Sequence, residues 1–109
     1  VELRTEAALA SFLGGPGVRF VIWPARWCPS SRGVLPEYHA LVPRYPSAAF
    51  AQADVDRLQA AAERHGADRH GRRMPTTHAF LGGEVLGTTK GADPKALGDF
   101  VRKMAAKRQ

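Results

Sequence analysis

At 109 residues the chain has room for a single domain around one core. A hydrophobic share of 44% and a charged share of 24% exclude an intrinsically disordered chain, and no apolar run approaches the ~20 residues that cross a bilayer. The formal net charge of +6 admits nucleic acid, an acidic membrane surface or acidic protein partners, while a lone cysteine excludes an internal disulfide framework.

Thr5 to Leu13 reads as a short helix, with Thr5 as its cap and Leu9, Phe12 and Leu13 on one face. Gly14-Gly15-Pro16-Gly17 ends it. Val18 to Trp23 is a nearly continuous apolar run of strand length, the pattern of a central strand covered on both faces. After Cys28, Val34, Leu35, Tyr38, Leu41 and Val42 keep helical spacing up to Pro43, and Pro36 should kink this helix from inside. Ala48 to Val55 predicts a second buried strand. Asp54 or Asp56 then caps a helix through Leu58, Ala61 and Ala62 to about Gly66. Thr77 to Leu81 and Glu84 to Thr88 flank Gly82-Gly83 and predict a hairpin. The last helix has Asp93 as N-cap, Pro94 at its first position, and Leu97, Phe100, Val101 and Met104 in one stripe. This order predicts one α/β domain over residues 1–109, with helices packed on a mixed sheet.

Positive charge is unevenly spread. Lys103, Lys107 and Arg108 crowd the end of the final helix, where the helix dipole favours cations. The denser cluster is Arg64, His65, Arg69, His70, Arg72 and Arg73, just ahead of Pro75. His65 and His70 are expected on a solvated loop, and His78 half exposed within its strand. His39, His65, His70 and His78 lack metal-ligand spacing with Cys28, so neither a metal nor another cofactor is expected. Gly82-Gly83 is a turn rather than a phosphate loop. With the aromatics assigned to the core or the cysteine loop, no stacking platform is left for nucleic acid.

The chemistry centres on Arg26-Trp27-Cys28-Pro29-Ser30-Ser31-Arg32. A thiol at this strand-to-helix junction meets the unpaired N–H groups and the positive dipole end of the helix. Both favour the thiolate, the species that attacks disulfides. Cys28 is accordingly expected to be reachable from solvent. Ser31 occupies the position where a dithiol site has its second cysteine.

Taken together, these residues resemble the thioredoxin family along nearly the whole chain. Trp27-Cys28 matches the pair that opens the family's active-site helix, and Pro36 the proline that kinks it. Asp54-Val55-Asp56 matches a strand end, Met74-Pro75-Thr76 the cis-proline turn, Phe80 and Gly83-Glu84-Val85 the last hairpin, and Gly91 the glycine before the last helix. Tyr45-Pro46 and Gly91-Ala92-Asp93 lean toward eukaryotic thioredoxin-like modules. The resemblance implies a thioredoxin fold, a central mixed sheet of four to five strands flanked by about four helices. It further implies a redox-active centre at Cys28, and substrate contacts at Trp27, Pro29, Met74, Pro75, Thr76 and Gly91. The backbone of Met74 would pair with an extended substrate segment.

The departures bear directly on function. Cys28-Pro29-Ser30-Ser31 lacks the resolving cysteine, and Ile22 stands where the family has a buried carboxylate. Pro24 takes the place of a second tryptophan, which Trp23 precedes. The basic stretch Asp68-Arg69-His70-Gly71-Arg72-Arg73 is longer than the family's connection. Ser31 therefore marks a natural monothiol site, a degenerate site, or a dithiol site whose resolving cysteine has been exchanged for serine. The first reading is an oxidoreductase exchanging disulfides with protein substrates through Cys28, crippled by Ser31 and dependent on glutathione or a thioredoxin-reductase-like reductant. Its rivals are a non-catalytic docking module on the same fold and a glutathione-dependent, glutaredoxin-like monothiol protein. Arg69, His70, Arg72 and Arg73 form a candidate specificity patch for acidic substrates or a charged thiol. Val1-Glu2-Leu3-Arg4 lacks the pattern of a secretory leader. The cytoplasm is the expected compartment, or an organelle if a targeting segment has been removed ahead of Val1.

Overall fold

The side chains of one five-residue strand, β1 (Arg19–Trp23), divide the core in two. The computed structural model describes residues 1–70 and 73–107. Its elements are α1 (Glu6–Leu13), β1, α2 (Pro29–Leu41), β2 (Ala49–Gln52), α3 (Gln59–His65), β3 (Thr76–Leu81), β4 (Glu84–Lys90) and α4 (Pro94–Ala105), with a 3-10 turn at Val42–Arg44. The strands lie in the order β2-β1-β3-β4. β1 pairs parallel with β2 and antiparallel with β3, and β3 pairs antiparallel with β4. The sheet is thus mixed and four-stranded, and Glu2 adds one parallel bridge to Gln52 at the β2 edge.

Phe20 and Ile22 face Val34, Tyr38 and Leu41 of α2 and Leu97, Val101 and Met104 of α4. Val21 and Trp23 point the other way, toward Leu9 and Leu13 of α1 and Ala61 and Ala62 of α3. All four β1 side chains are fully buried, each contributing about 1.5–3 kcal/mol. The Tyr38 hydroxyl lies 2.7 Å from the Ala51 carbonyl and 3.2 Å from that of Phe20, which ties the Pro36-containing helix to β2 and β1.

Local chemistry sets most element ends. Thr5 Oγ1 accepts the Ala8 N–H at 3.0 Å, and Asp93 Oδ1 accepts that of Lys95 at 3.0 Å, with Pro94 opening α4. Gly82 and Gly83 both have positive φ, +62° and +82°, as a tight hairpin turn requires. Two expectations need correction. β2 covers only Ala49–Gln52 rather than Ala48 to Val55, and α3 begins at Gln59 with Leu58, not an aspartate, at its N-cap. Asp54 explains the delay: its Oδ1 accepts the N–H groups of Asp56 at 2.8 Å and Arg57 at 3.1 Å, closing a separate turn first.

Candidate functional site

The register Trp23↔Thr76 defines one end of the sheet. There β1 runs on into Pro24-Ala25-Arg26-Trp27-Cys28, and Met74-Pro75 leads into β3, so both segments emerge side by side. The Cys28 N–H donates to the Ala25 carbonyl at 3.1 Å, and the Cys28 carbonyl accepts the Arg32 N–H at 3.1 Å. Cys28 is the N-cap of α2 in extended conformation, and Pro29 at the first helical position has no N–H to offer. Ser30 and Ser31 supply the free donors of this turn.

Cys28 is 8% exposed, far less than its sequence position leads one to expect. The reason is apolar: the residue belongs to the same buried cluster as Trp23, Ala25 and Met74. Burial pushes the thiol pKa up, whereas the N–H and hydroxyl of Ser31, the N–H of Ser30 and the charge of Arg32 push it down. The second group prevails, and the thiol lies below its ordinary range. Ser31 is fully buried, and its Oγ has no hydrogen-bond partner among the described residues. A hydroxyl so placed turns its proton to the thiolate once one forms. Ile22 is fully buried in hydrocarbon, so no carboxylate titrates at its position on β1.

Trp27 contrasts with Cys28 in remaining 53% exposed. Its Nε1 donates to Asp56 Oδ2 at 2.7 Å, and the His70 ring stacks against it with centroids 6.2 Å apart and planes 28° apart. The Met74-Pro75 bond is cis, and the Pro75 carbonyl accepts the N–H of Gly91, whose φ is +108°. Met74 is only 1% exposed, and Pro75 and Thr76 are buried as well. The open backbone foreseen at Met74 is therefore covered. Thr76 Oγ1 accepts the Asp68 N–H at 3.2 Å, which folds the preceding loop back onto this turn.

The basic stretch does not act as one patch. Arg69 turns away to Glu63 of α3 at 3.1 Å, while Asp68 accepts from Lys90 at 2.8 Å. His70 goes to Trp27 and Arg73 is exposed; Arg72 lies outside the described residues. Arg26, with a side chain 87% exposed, meets Asp54 only at 3.9 Å.

Sequence reasoning misjudged two histidines. His78 is 1% exposed rather than half exposed, and its Nδ1 accepts the Trp23 Nε1–H at 2.8 Å. Burial, with the neighbouring His65, pulls its pKa down to about 4. His65 is not on a solvated loop; it ends α3, half-buried beside Trp23, His78 and Phe80. The available signal was alternation: Thr76, His78 and Phe80 share one face of β3, and Phe80 is unmistakably a core residue. Among the described residues no three His, Cys, Asp or Glu side chains gather to hold a metal, and no helix is long and apolar enough to cross a membrane.

Comparison with known proteins bears on this geometry. The family model described as Thioredoxin matches residues 16–103. Thioredoxin of Rattus norvegicus is 27% identical over 105 residues, spanning 94% of this chain and 96% of the relative. A thioredoxin-like protein of Fusarium culmorum is 34% identical over 88 residues, 73% of this chain and 69% of the relative. In structure, thioredoxin of Plasmodium falciparum superposes with a TM-score of 0.88 over 95% of this chain and 98% of that one, at 24% identity, a likeness of fold.

Proposed function

This chain belongs to the thioredoxin family, whose members act on thiol and disulfide protein substrates, and we propose that it exchanges disulfides with such substrates through Cys28 alone. The observation that carries this reading is the placement of Cys28 at the N-cap of α2, where Ser30 and Ser31 hold its pKa below the ordinary thiol range. Trp27 offers an exposed flat surface next to it.

The Cys28 thiolate attacks one sulfur of a substrate disulfide. A bond from Cys28 to that sulfur forms, the substrate S–S bond breaks, and the other substrate sulfur leaves as a thiolate and takes a proton from solvent. Ser31 cannot continue the sequence, because a hydroxyl neither attacks the mixed disulfide usefully nor bonds stably to sulfur. An external thiol of low molecular weight, or a protein thiol, attacks the Cys28 sulfur and expels the remaining substrate sulfur. A second external thiol then attacks the first, forming the external disulfide and returning Cys28 as thiolate. Two external thiols are oxidised and one substrate disulfide is reduced. Such turnover suits a reducing compartment such as the cytoplasm.

A second reading follows from the low exposure of Cys28 beside the high exposure of Trp27: a docking module that binds through Trp27 without exchange. One experiment separates the two. The protein is mixed with a disulfide peptide, and intact mass and alkylation rate are followed against pH. A peptide adduct on the wild type but not on Cys28→Ala, with an alkylation midpoint below the free-cysteine ~8.5, supports exchange. No adduct, with a midpoint at or above that value, assigns docking instead.

A further inference from the structure

Around Trp27 and Cys28, three exposed guanidinium groups lack a close carboxylate partner among the described residues. Asp68 and Glu63 are paired with cations of the chain, while Asp54 and Asp56 keep their charge and are held in place by neutral N–H donors. Asp56 accepts from Trp27 Nε1, Asp54 accepts the N–H groups of Asp56 and Arg57, Asp68 is held by Lys90, and Glu63 by Arg69. Arg32 and Arg73 are exposed and meet no carboxylate among the described residues, and Arg26 makes only the long contact to Asp54. Arg26 and Arg32 flank a small cleft of about 140 Å³ with Pro24, Ala25 and Leu35 in its wall. Glu2 and Asp54 also line it, but Glu2 is bound by Arg4 at 2.9 Å and Asp54 by the N–H groups just named. The long connection, anchored through Asp68, brings His70 onto the indole of Trp27, with Arg73 three residues further along the chain.

From this arrangement we infer that the exchange partner is a protein segment carrying carboxylates next to its disulfide. The inference rests on the proposed exchange at Cys28. Its carboxylates meet the exposed guanidinium groups of Arg26, Arg32 and Arg73, and its apolar part meets Trp27 with His70. Unpaired guanidinium groups recognise carboxylates by charge-assisted, bidentate hydrogen bonds. Like charges on a basic segment are repelled before contact.

The test uses three disulfide peptides of one length, flanked by glutamates, by serines or by lysines, with glutathione disulfide as a fourth substrate. Adduct formation at Cys28 is timed at low salt and at about 1 M salt, where the screening length falls to about 3 Å. At low salt the acidic peptide should react on the order of tenfold faster than the lysine peptide, and the preference should collapse at high salt. Arg73→Glu and Arg26→Glu should shrink or invert the acidic-to-basic ratio. Arg44→Glu changes net charge equally but lies in the turn beyond the far end of α2, and should leave the ratio in place. Equal rates for all three peptides overturn the inference while leaving exchange intact, and an adduct with none of them overturns the exchange reading itself. An equal response to Arg44→Glu overturns it in favour of net charge, and preference for glutathione disulfide over the acidic peptide overturns it in favour of a small anionic partner.

Discussion

Trp23 donates its indole N–H to Nδ1 of His78 at 2.8 Å, joining neighbouring strands inside the core between the sheet and α1 and α3. Because Nδ1 accepts, the neutral ring carries its proton on Nε2. Burial disfavours the charged ring and half-buried His65 repels it, which is why the His78 pKa falls to about 4. A pKa lowered from 6.5 means that the unfolded chain binds this proton more readily. Stability from this group is complete above pH 6.5, declines as pH falls toward 4 and is lost below it. A full shift of this size corresponds to about 3 kcal/mol. Urea unfolding of wild type and His78→Gln at pH 7.5, 5.5 and 4 should show the variant with a distinctly flatter profile. Parallel profiles would mean that His78 does not carry the acid sensitivity.

Ser31 combines full burial with an Oγ that lacks a partner among the described residues. Burying an unsatisfied hydroxyl costs about 1–3 kcal/mol. Ser31→Ala should therefore leave the protein equally or more stable, by up to about 1 kcal/mol, yet raise the pH midpoint of Cys28 alkylation because the thiolate loses a donor. Ser31→Cys should supply an internal thiol that expels the bound substrate, so that exchange no longer waits on an external thiol. Single-turnover release should accelerate on the order of a hundredfold, since an internal thiol acts at high effective concentration. Release as slow as in the wild type would show that position 31 does not face the mixed disulfide.

Lys90 is the anchor of the basic connection. Its Nζ donates to Asp68 Oδ1 at 2.8 Å and to the Gly66 carbonyl at 3.3 Å. Lys90→Met should cost about 1 kcal/mol of stability, the worth of a half-buried ion pair. It should also free the segment that brings His70 to Trp27. Limited trypsin digestion should then cut after Arg69 or Arg73 several-fold faster than in the wild type. Unchanged cutting would place the anchor elsewhere.

Gly87 of β4 packs directly under α4, where a Cβ would come 2.7 Å from Met104 Sδ and 3.4 Å from Phe100 Cε1. Gly87→Val should lower the stability by about 1–3 kcal/mol despite the better strand propensity of valine. Gly87→Ala should cost less, because the Met104 thioether can swing aside. Thermal melts of the two variants test the order; a stabilised valine variant would contradict the close approach of helix and strand.

The order and type of the α-helices and strands were legible in the sequence, because local signals set them. Thr5 and Asp93 announce helix starts, Gly82-Gly83 announces the hairpin turn, and the unbroken apolar run of β1 announces a strand covered on both sides. The family was legible for the same reason, since its marks lie at those junctions. What tertiary structure alone decided was which polar groups are hidden. A histidine in a strand reads as half exposed until the neighbouring strand brings Trp23 against it. A thiol at a helix start reads as open until Trp23, Ala25 and Met74 close around it. Four basic residues read as one patch until Glu63 claims Arg69 and Trp27 claims His70. Backbone propensity acts within a few residues and is written in the local chain, whereas burial and charge pairing depend on partners brought together across long separations.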